Sequence, residues 1–206
     1  MLLIGRDLSP FVRRSAALAQ LLEIDFERRI VNTEDDGDVI RRYNPLGRVP
    51  VLVLDEEAGD VIVDSHAIVD HLLEIGDADG RRLAASGSSR RETLRISAIA
   101  VGVMEKAVAA AYERIRRPDE FFYAPWADRL QGQVRAGLEA LDTALGDRTW
   151  FGGDAPDLAD LDAIVAHEHV GFVSRSARDE WGLAKLDALC RRGDEIDAIR
   201  ETRWRD

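Results

Sequence analysis

The hydrophobic pattern of this chain changes period once, and the change limits the folds open to it. Through residue 76, short strand-like runs alternate with helical stretches. Leu2-Leu3-Ile4-Gly5 reads as a buried strand. Ser9-Pro10 then opens a helix, since serine is a good N-cap and proline is favoured at the first helical position. Phe11, Val12, Ala16, Leu18, Ala19 and Leu22 supply its apolar surface. Residues 26–31 read as a second strand and 35–43 as a short helix. Val51 to Leu54 and Val61 to Val63 read as strands joined by the acidic, glycine-containing turn 55–60, a hairpin signal. Ser65 then caps a helix with Ile68, Val69, Leu72 and Leu73 on one side. The order βαβαββα predicts an α/β unit with a mixed sheet. Residues 77–88 are polar and rich in Gly and Ser, and beyond them only helical spacing remains. There Leu94, Ala98, Val101, Val108, Tyr112 and Ile115 mark one long helix, Trp126 to Leu145 a second, and Asp157 starts a third. Asp157 and Asp160 stand in capping-box spacing, with Asp in both places.

Within the first part, the turn cluster Asn44-Pro45-Leu46-Gly47-Arg48 feeds a Val49-Pro50 step into the β-branched run. Proline has no N–H for a sheet ladder, so it belongs at the first residue of a strand. Most X-Pro bonds are trans, but a fold can fix one as cis. A cis Val49-Pro50 bond would turn the Val49 N–H and C=O away from the sheet, toward an extended peptide.

Charge excludes one class of partner. The chain has 206 residues and a net charge of −11, and residues 1–76 hold 8 arginines against 15 acids. Binding nucleic acid needs clustered Lys or Arg on one face, so no nucleic-acid partner is expected. No apolar run reaches the ~18 residues of a membrane span, and Met1 to Arg6 has no basic leader, so no membrane partner is expected. The single cysteine, Cys190, allows no internal disulfide and fits a cytoplasmic protein. His167-Glu168-His169 suggests metal ligands, but residues two apart do not share a helix face, and no metal is expected.

Four motifs in order carry a resemblance across essentially the whole chain. They are Ser9-Pro10-Phe11-Val12-Arg13-Arg14, Asn44 to Pro50, Asp64-Ser65-His66-Ala67-Ile68, and Asp157-Leu158-Ala159-Asp160. Together they resemble the glutathione transferase superfamily, in its bacterial serine-based type. The resemblance implies a thioredoxin-like glutathione-binding domain over 1–76, a linker over 77–88 and an all-α helical domain over 89–206. It implies glutathione as cosubstrate, a small hydrophobic electrophile as the second substrate, and a homodimer. Val49, just before the family's cis-proline Pro50, would pair with the cysteinyl backbone of the tripeptide, as in strand addition. Ser65 at a helix N-terminus would hold the γ-glutamyl carboxylate, Asp64 its ammonium and Arg48 the glycyl carboxylate. Phe11 goes with the same binding set.

Ser9 is the catalytic candidate. Ionising the bound thiol at neutral pH needs roughly 2.7 kcal/mol relative to the free thiol. A hydroxyl donating to a charged acceptor supplies up to about 3 kcal/mol, and a helix N-terminus about 0.3–1 more. Arg13 either assists or points to solvent. No tyrosine lies near the first strand, and Ser9-Pro10-Phe11-Val12 stands where redox relatives carry Cys-x-x-Cys. Ala184-Lys185-Leu186 lacks the proline that many members carry before that leucine. Plainer readings stand beside these: Ser9 as an N-cap only, Asp64 and Ser65 as a turn and cap, and Arg48 as a solvated charge. Phe121, Phe122, Tyr123 and Trp126 suit an apolar electrophile pocket, the core or a dimer contact. Two functions follow, a glutathione transferase or a non-catalytic binding module on the same fold.

Overall fold

A computed structural model describes residues 1–204, with 176 and 177 described by backbone alone. The chain forms two compact units. The first comprises Met1–Leu83 together with the chain from Ile196 on, and the second comprises Ala84–Glu195.

The first unit is built on a four-stranded sheet in the order β2-β1-β3-β4, with β1 Leu2–Gly5, β2 Glu27–Ile30, β3 Val51–Asp55 and β4 Asp60–Val63. β1 and β2 run parallel, joined through α1 (Pro10–Leu21), while β3 is antiparallel to both β1 and β4. The mixed sheet therefore matches the expected βαβαββα order. Side chains alternate across the pleat. Leu2, Ile4, Val51 and Val53 share one face and pack with Val31 and with Ile40 of α2 (Gly37–Arg41). Leu3 and Leu52 point to the other face, where α1 and α3 (Ser65–Gly76) pack on each other and on the sheet. Gly5 closes β1 because any side chain there would overlap Val12 of α1.

Helix α2 is shorter than the 35–43 span predicted. Asp35 and Asp36 are drawn into a turn, with Asp36 Oδ2 accepting from the Asn32 amide at 2.7 Å and Asn32 Nδ2 donating to Asp35 at 2.6 Å. Asn and Asp favour such local bonds over helix.

The second unit is helical, with α4 Gly87–Ile115, a 3₁₀ turn Asp119–Phe121, α5 Ala124–Leu145, α6 Leu158–Val173, α7 Arg175–Glu180 and α8 Ala184–Gly193. Helix α4 packs on both α5 and α6. Its buried stripe differs from the one read from sequence. Val101 is buried as expected and Val108 half-buried, but Leu94, Ala98, Tyr112 and Ile115 are exposed, and Thr93, Ile96, Ser97, Ala100, Met104, Ala107 and Ala110 are buried instead. Two polar residues stand on the buried face near its start. Thr93 Oγ1 donates to Asp157 Oδ2 at 2.9 Å, and Ser97 Oγ donates to Asp162 Oδ2 at 2.5 Å. Polar groups buried with partners are compatible with a core, but they break an apolar repeat.

The capping box at α6 is formed. Asp157 Oδ1 accepts from the Ala159 and Asp160 amides, and Asp160 Oδ2 accepts from the Asp157 amide at 3.0 Å. Asp160 Oδ1 also accepts from the Phe151 amide at 2.8 Å. Burial pushes the Asp160 carboxyl up to about 7, with the Asp157 carboxylate acting in the same direction against the two amide bonds. Helix α8 has no cap from its own sequence; Asp142 of α5 accepts from the Lys185 and Leu186 amides, each at 2.9 Å. The bond from Lys185 is one a proline could not make, which gives the departure noted at this position a physical role.

The first unit closes with α9 (Asp197–Glu201), which packs on α1 through the fully buried Ile199. Arg13 Nη2 donates to the Ile199 carbonyl at 3.4 Å, so Arg13 is buried and does not point to solvent.

Two predictions come from the helical unit. Asp160→Ala leaves the Phe151 and Asp157 amides buried without that acceptor, each at about 1–3 kcal/mol. The denaturation midpoint of the chain falls accordingly. His167 of α6 is buried and faces Asp187 Oδ1 of α8 at 2.8 Å, while its Nδ1 meets no hydrogen-bond partner among the described residues. Burial, partly opposed by Asp187, lowers the pKa of the ring. The unfolded chain therefore takes up this proton at higher pH than the folded one, and stability is lost as pH falls below about 6.5. Thermal unfolding between pH 7 and 5 checks this: His167→Gln shows a shallower fall than the unmodified chain.

Candidate functional site

The register of the sheet gathers three separate segments. Ile4 pairs with Val51, and Val51 pairs with Val63. The C-terminal ends of β1 and β4 therefore lie beside the N-terminal end of β3. Ser9 follows β1, Val49-Pro50 precedes β3, and Asp64-Ser65 follows β4. All three segments leave the same end of the sheet, the end where open α/β sheets place their ligands.

Ser9 is the N-cap of α1, with extended backbone, and Pro10 is the first helical residue. Its Oγ accepts from the Val12 amide at 3.4 Å. A hydroxyl that accepts in a cap keeps its own hydrogen to donate. Ser9 is half-buried, as is Phe11 in the next turn. The cap and the chemical role are thus compatible on one oxygen.

The loop before β3 is organised by Asn44, which is buried. Its Nδ2 donates to the Arg48 carbonyl at 2.9 Å, and its Oδ1 accepts from the Leu46 amide at 3.0 Å. Gly47 sits at φ +63°, a left-handed conformation that suits glycine. Arg48 is exposed, Val49 half-buried and Pro50 buried, and the Val49-Pro50 bond is cis. The ladder starts at Val51, so Val49 lies outside it.

Asp64, and not Ser65, is the N-cap of α3; Ser65 is its first residue. Asp64 holds φ 73°, and its Oδ1 accepts from the His66 amide at 3.0 Å and faces the His66 ring at 3.1 Å. Partial burial opposes its ionisation, but the His66 bonds and the positive charge of Arg48 outweigh it and lower its pKa. Arg48 and Asp64 are therefore electrostatic neighbours. Ser65 is buried, and its Oγ accepts from Arg14 Nη1 at 3.2 Å.

Arg14 and Asn44 are the residues whose site roles were not read from sequence. Arg14 entered only as part of the Ser9–Arg14 motif, with no role of its own, yet it is 1% exposed. An asparagine before a proline reads as a turn residue, and its reach to Arg48 follows only from the folded loop. Phe121, Phe122, Tyr123 and Trp126 are exposed, which removes the core reading for them. Arg114 and Arg116 lie over the Phe122 and Tyr112 rings, the latter at 3.9 Å. Among the described residues no group of His, Cys, Asp and Glu is placed to hold a metal ion, and His167 is engaged with Asp187. No described helix is long and apolar enough to cross a membrane.

Comparison with known proteins places this fold in a family. Residues 3–79 match the glutathione S-transferase N-terminal domain family, and residues 124–177 match the C-terminal domain family. The chain is 33% identical over 170 residues to a maleylacetoacetate isomerase of Pseudomonas aeruginosa, covering 77% of this chain and 75% of that one. It is 31% identical over 179 residues to the uncharacterised GST-like protein YibF of Escherichia coli, covering 84% and 83%. Among solved structures, it superimposes on a glutathione S-transferase of Methylobacillus flagellatus with glutathione bound. That match has a TM-score of 0.90 at 24% identity and covers 98% of each chain. A glutathione S-transferase of Methylobacterium radiotolerans in complex with glutathione sulfonate superimposes with a TM-score of 0.89 at 24% identity, over 100% of this chain and 95% of that one. The chain belongs to the glutathione S-transferase family, with its thioredoxin-like and all-helical parts.

Asn44→Ala removes both loop bonds and leaves the Leu46 amide and Arg48 carbonyl without their buried partner. A loss of about 1–3 kcal/mol in urea unfolding is expected, with faster exchange of the Leu46 amide proton.

Proposed function

We propose that this chain binds glutathione at the sheet end where Ser9, Val49-Pro50 and Asp64-Ser65 converge, and activates its thiol for reaction with a small apolar electrophile. The observation that carries the reading is the register Ile4–Val51–Val63, which draws those three segments together. In this reading Val49 pairs with the cysteinyl backbone, beside the buried Pro50. Ser65 takes the γ-glutamyl carboxylate and Asp64 the ammonium, a role that its lowered pKa supports. Arg48 takes the glycyl carboxylate, and Phe11 adds apolar contact. Ser9 donates its hydroxyl hydrogen to the thiolate while the N-terminus of α1 supplies partial positive charge. The complexes of the two bacterial neighbours with glutathione and glutathione sulfonate support glutathione as the cosubstrate.

A second reaction type, isomerisation of an unsaturated keto acid, is favoured by the 33% identity to a maleylacetoacetate isomerase. We place the protein in the cytoplasm as a homodimer, a state supported by the family and by the exposure of Leu46 and Ile30 on the first unit; sedimentation tests it.

Ultraviolet difference absorbance of the thiolate tests the reading directly. A saturable thiolate signal with glutathione at neutral pH is expected, and silence there and in calorimetry refutes it. Ser9→Ala lowers kcat with a chloronitrobenzene at least tenfold and leaves glutathione affinity within severalfold. Unchanged kcat removes Ser9 from the chemistry.

A further inference from the structure

Arg14 is an arginine held almost wholly out of solvent, and one of the bonds it makes falls on a residue of the candidate site. It sits on α1, one turn beyond the Ser9 cap, and reaches across to α3, where its Nη1 lies 3.2 Å from Ser65 Oγ. The two residues are 1% and 2% exposed. A guanidinium can only donate hydrogen bonds, whereas a hydroxyl has two lone pairs and one hydrogen. The direction of this bond is therefore fixed. Arg14 fills a lone pair of Ser65, and the Ser65 hydrogen remains to be given to an acceptor. The acceptor matched to a hydroxyl donor, a helix N-terminus and a fixed cation behind it is a carboxylate.

We propose that Arg14 is a positioning residue for the α-carboxylate of the γ-glutamyl arm: its guanidinium sets Ser65 as a hydrogen-bond donor and keeps a positive charge behind it. The inference rests on the glutathione reading above and adds to it a residue that touches Ser65, without itself meeting the tripeptide. Arginine suits the task because its charge persists at any working pH and its planar fork is rigid, so a bond made by one arm holds the orientation of the whole group. Arg14 also joins the helix capped by Ser9 to the helix that begins at Ser65, so the two ends of the candidate site share one internal tie.

The test compares glutathione with its analogue that lacks only that carboxylate, 4-aminobutyryl-cysteinyl-glycine, by calorimetry on the full chain. Arg14→Met is expected to weaken glutathione at least tenfold and the analogue less than twofold. In a Ser65→Ala background the same change costs less than threefold, because the group it acts through is gone. In turnover with a chloronitrobenzene, KM for glutathione rises by a larger factor than kcat falls, and Arg14→Lys recovers most of the loss. Equal weakening of both ligands, or an undiminished effect in Ser65→Ala, overturns the proposal and assigns Arg14 to folding alone. If Arg14→Met does not fold, Arg14→Gln serves, since it keeps an N–H for Ser65 and loses the charge. Its preference for glutathione over the analogue drops at least threefold, and an unchanged preference overturns the proposal. Absence of glutathione binding by the unmodified chain overturns the glutathione reading itself, an outcome distinct from both.

Discussion

The antiparallel pairing of β3 with both β1 and β4 is the constraint on which the first unit depends. Without it, Ser9, Val49 and Ser65 are three points spread over 57 positions of chain. With it, they leave one end of one sheet. The pairing is specified by the pleat: Leu2, Ile4, Val51 and Val53 bury on one face and Leu3 and Leu52 on the other. A slip of one residue would invert every side chain of β3, exchanging the two faces. The hydrophobic core thus does more than stabilise the unit, since the register it selects also places the loops.

Polar groups set the second level of organisation, and they do so across elements. Asp142 supplies the cap that α8 lacks. Thr93 and Ser97 bind α4 to the carboxylates of Asp157, which caps α6, and of Asp162 within it. Asn44 ties the ends of its own loop, and Arg14 ties α1 to α3. Each replaces a bond to water by one to a named partner, so removing one partner exposes the other to the full cost of burial without a bond.

This division explains what could be read from the sequence. Features made within a few residues were legible: the Ser9-Pro10 helix start, the Asp157/Asp160 box and the turn before β4. The family motifs were legible for the same reason, being short and local. The buried stripe of α4 was legible only in part, because Thr93 and Ser97 enter the core by virtue of aspartates more than sixty positions away. Arg14 was seen as part of a motif but not as a partner of Ser65, since nothing in a run of charge says that it will be buried. The extent of α2 was lost to Asn32, whose local bonds to Asp35 and Asp36 compete with helix. Distance along the chain, more than residue type, separates what was read from what was not.

The return of α9 to the first unit has a consequence for how the protein is made. The sheet, α1 and α3 leave the ribosome early, but the surface of α1 that receives Ile199 stays uncovered until the whole helical unit has been synthesised. Domains generally fold in order of synthesis. Here the first to begin is the last to be completed, and the burial of Arg13 beneath the Ile199 carbonyl is a late event in the life of each new chain.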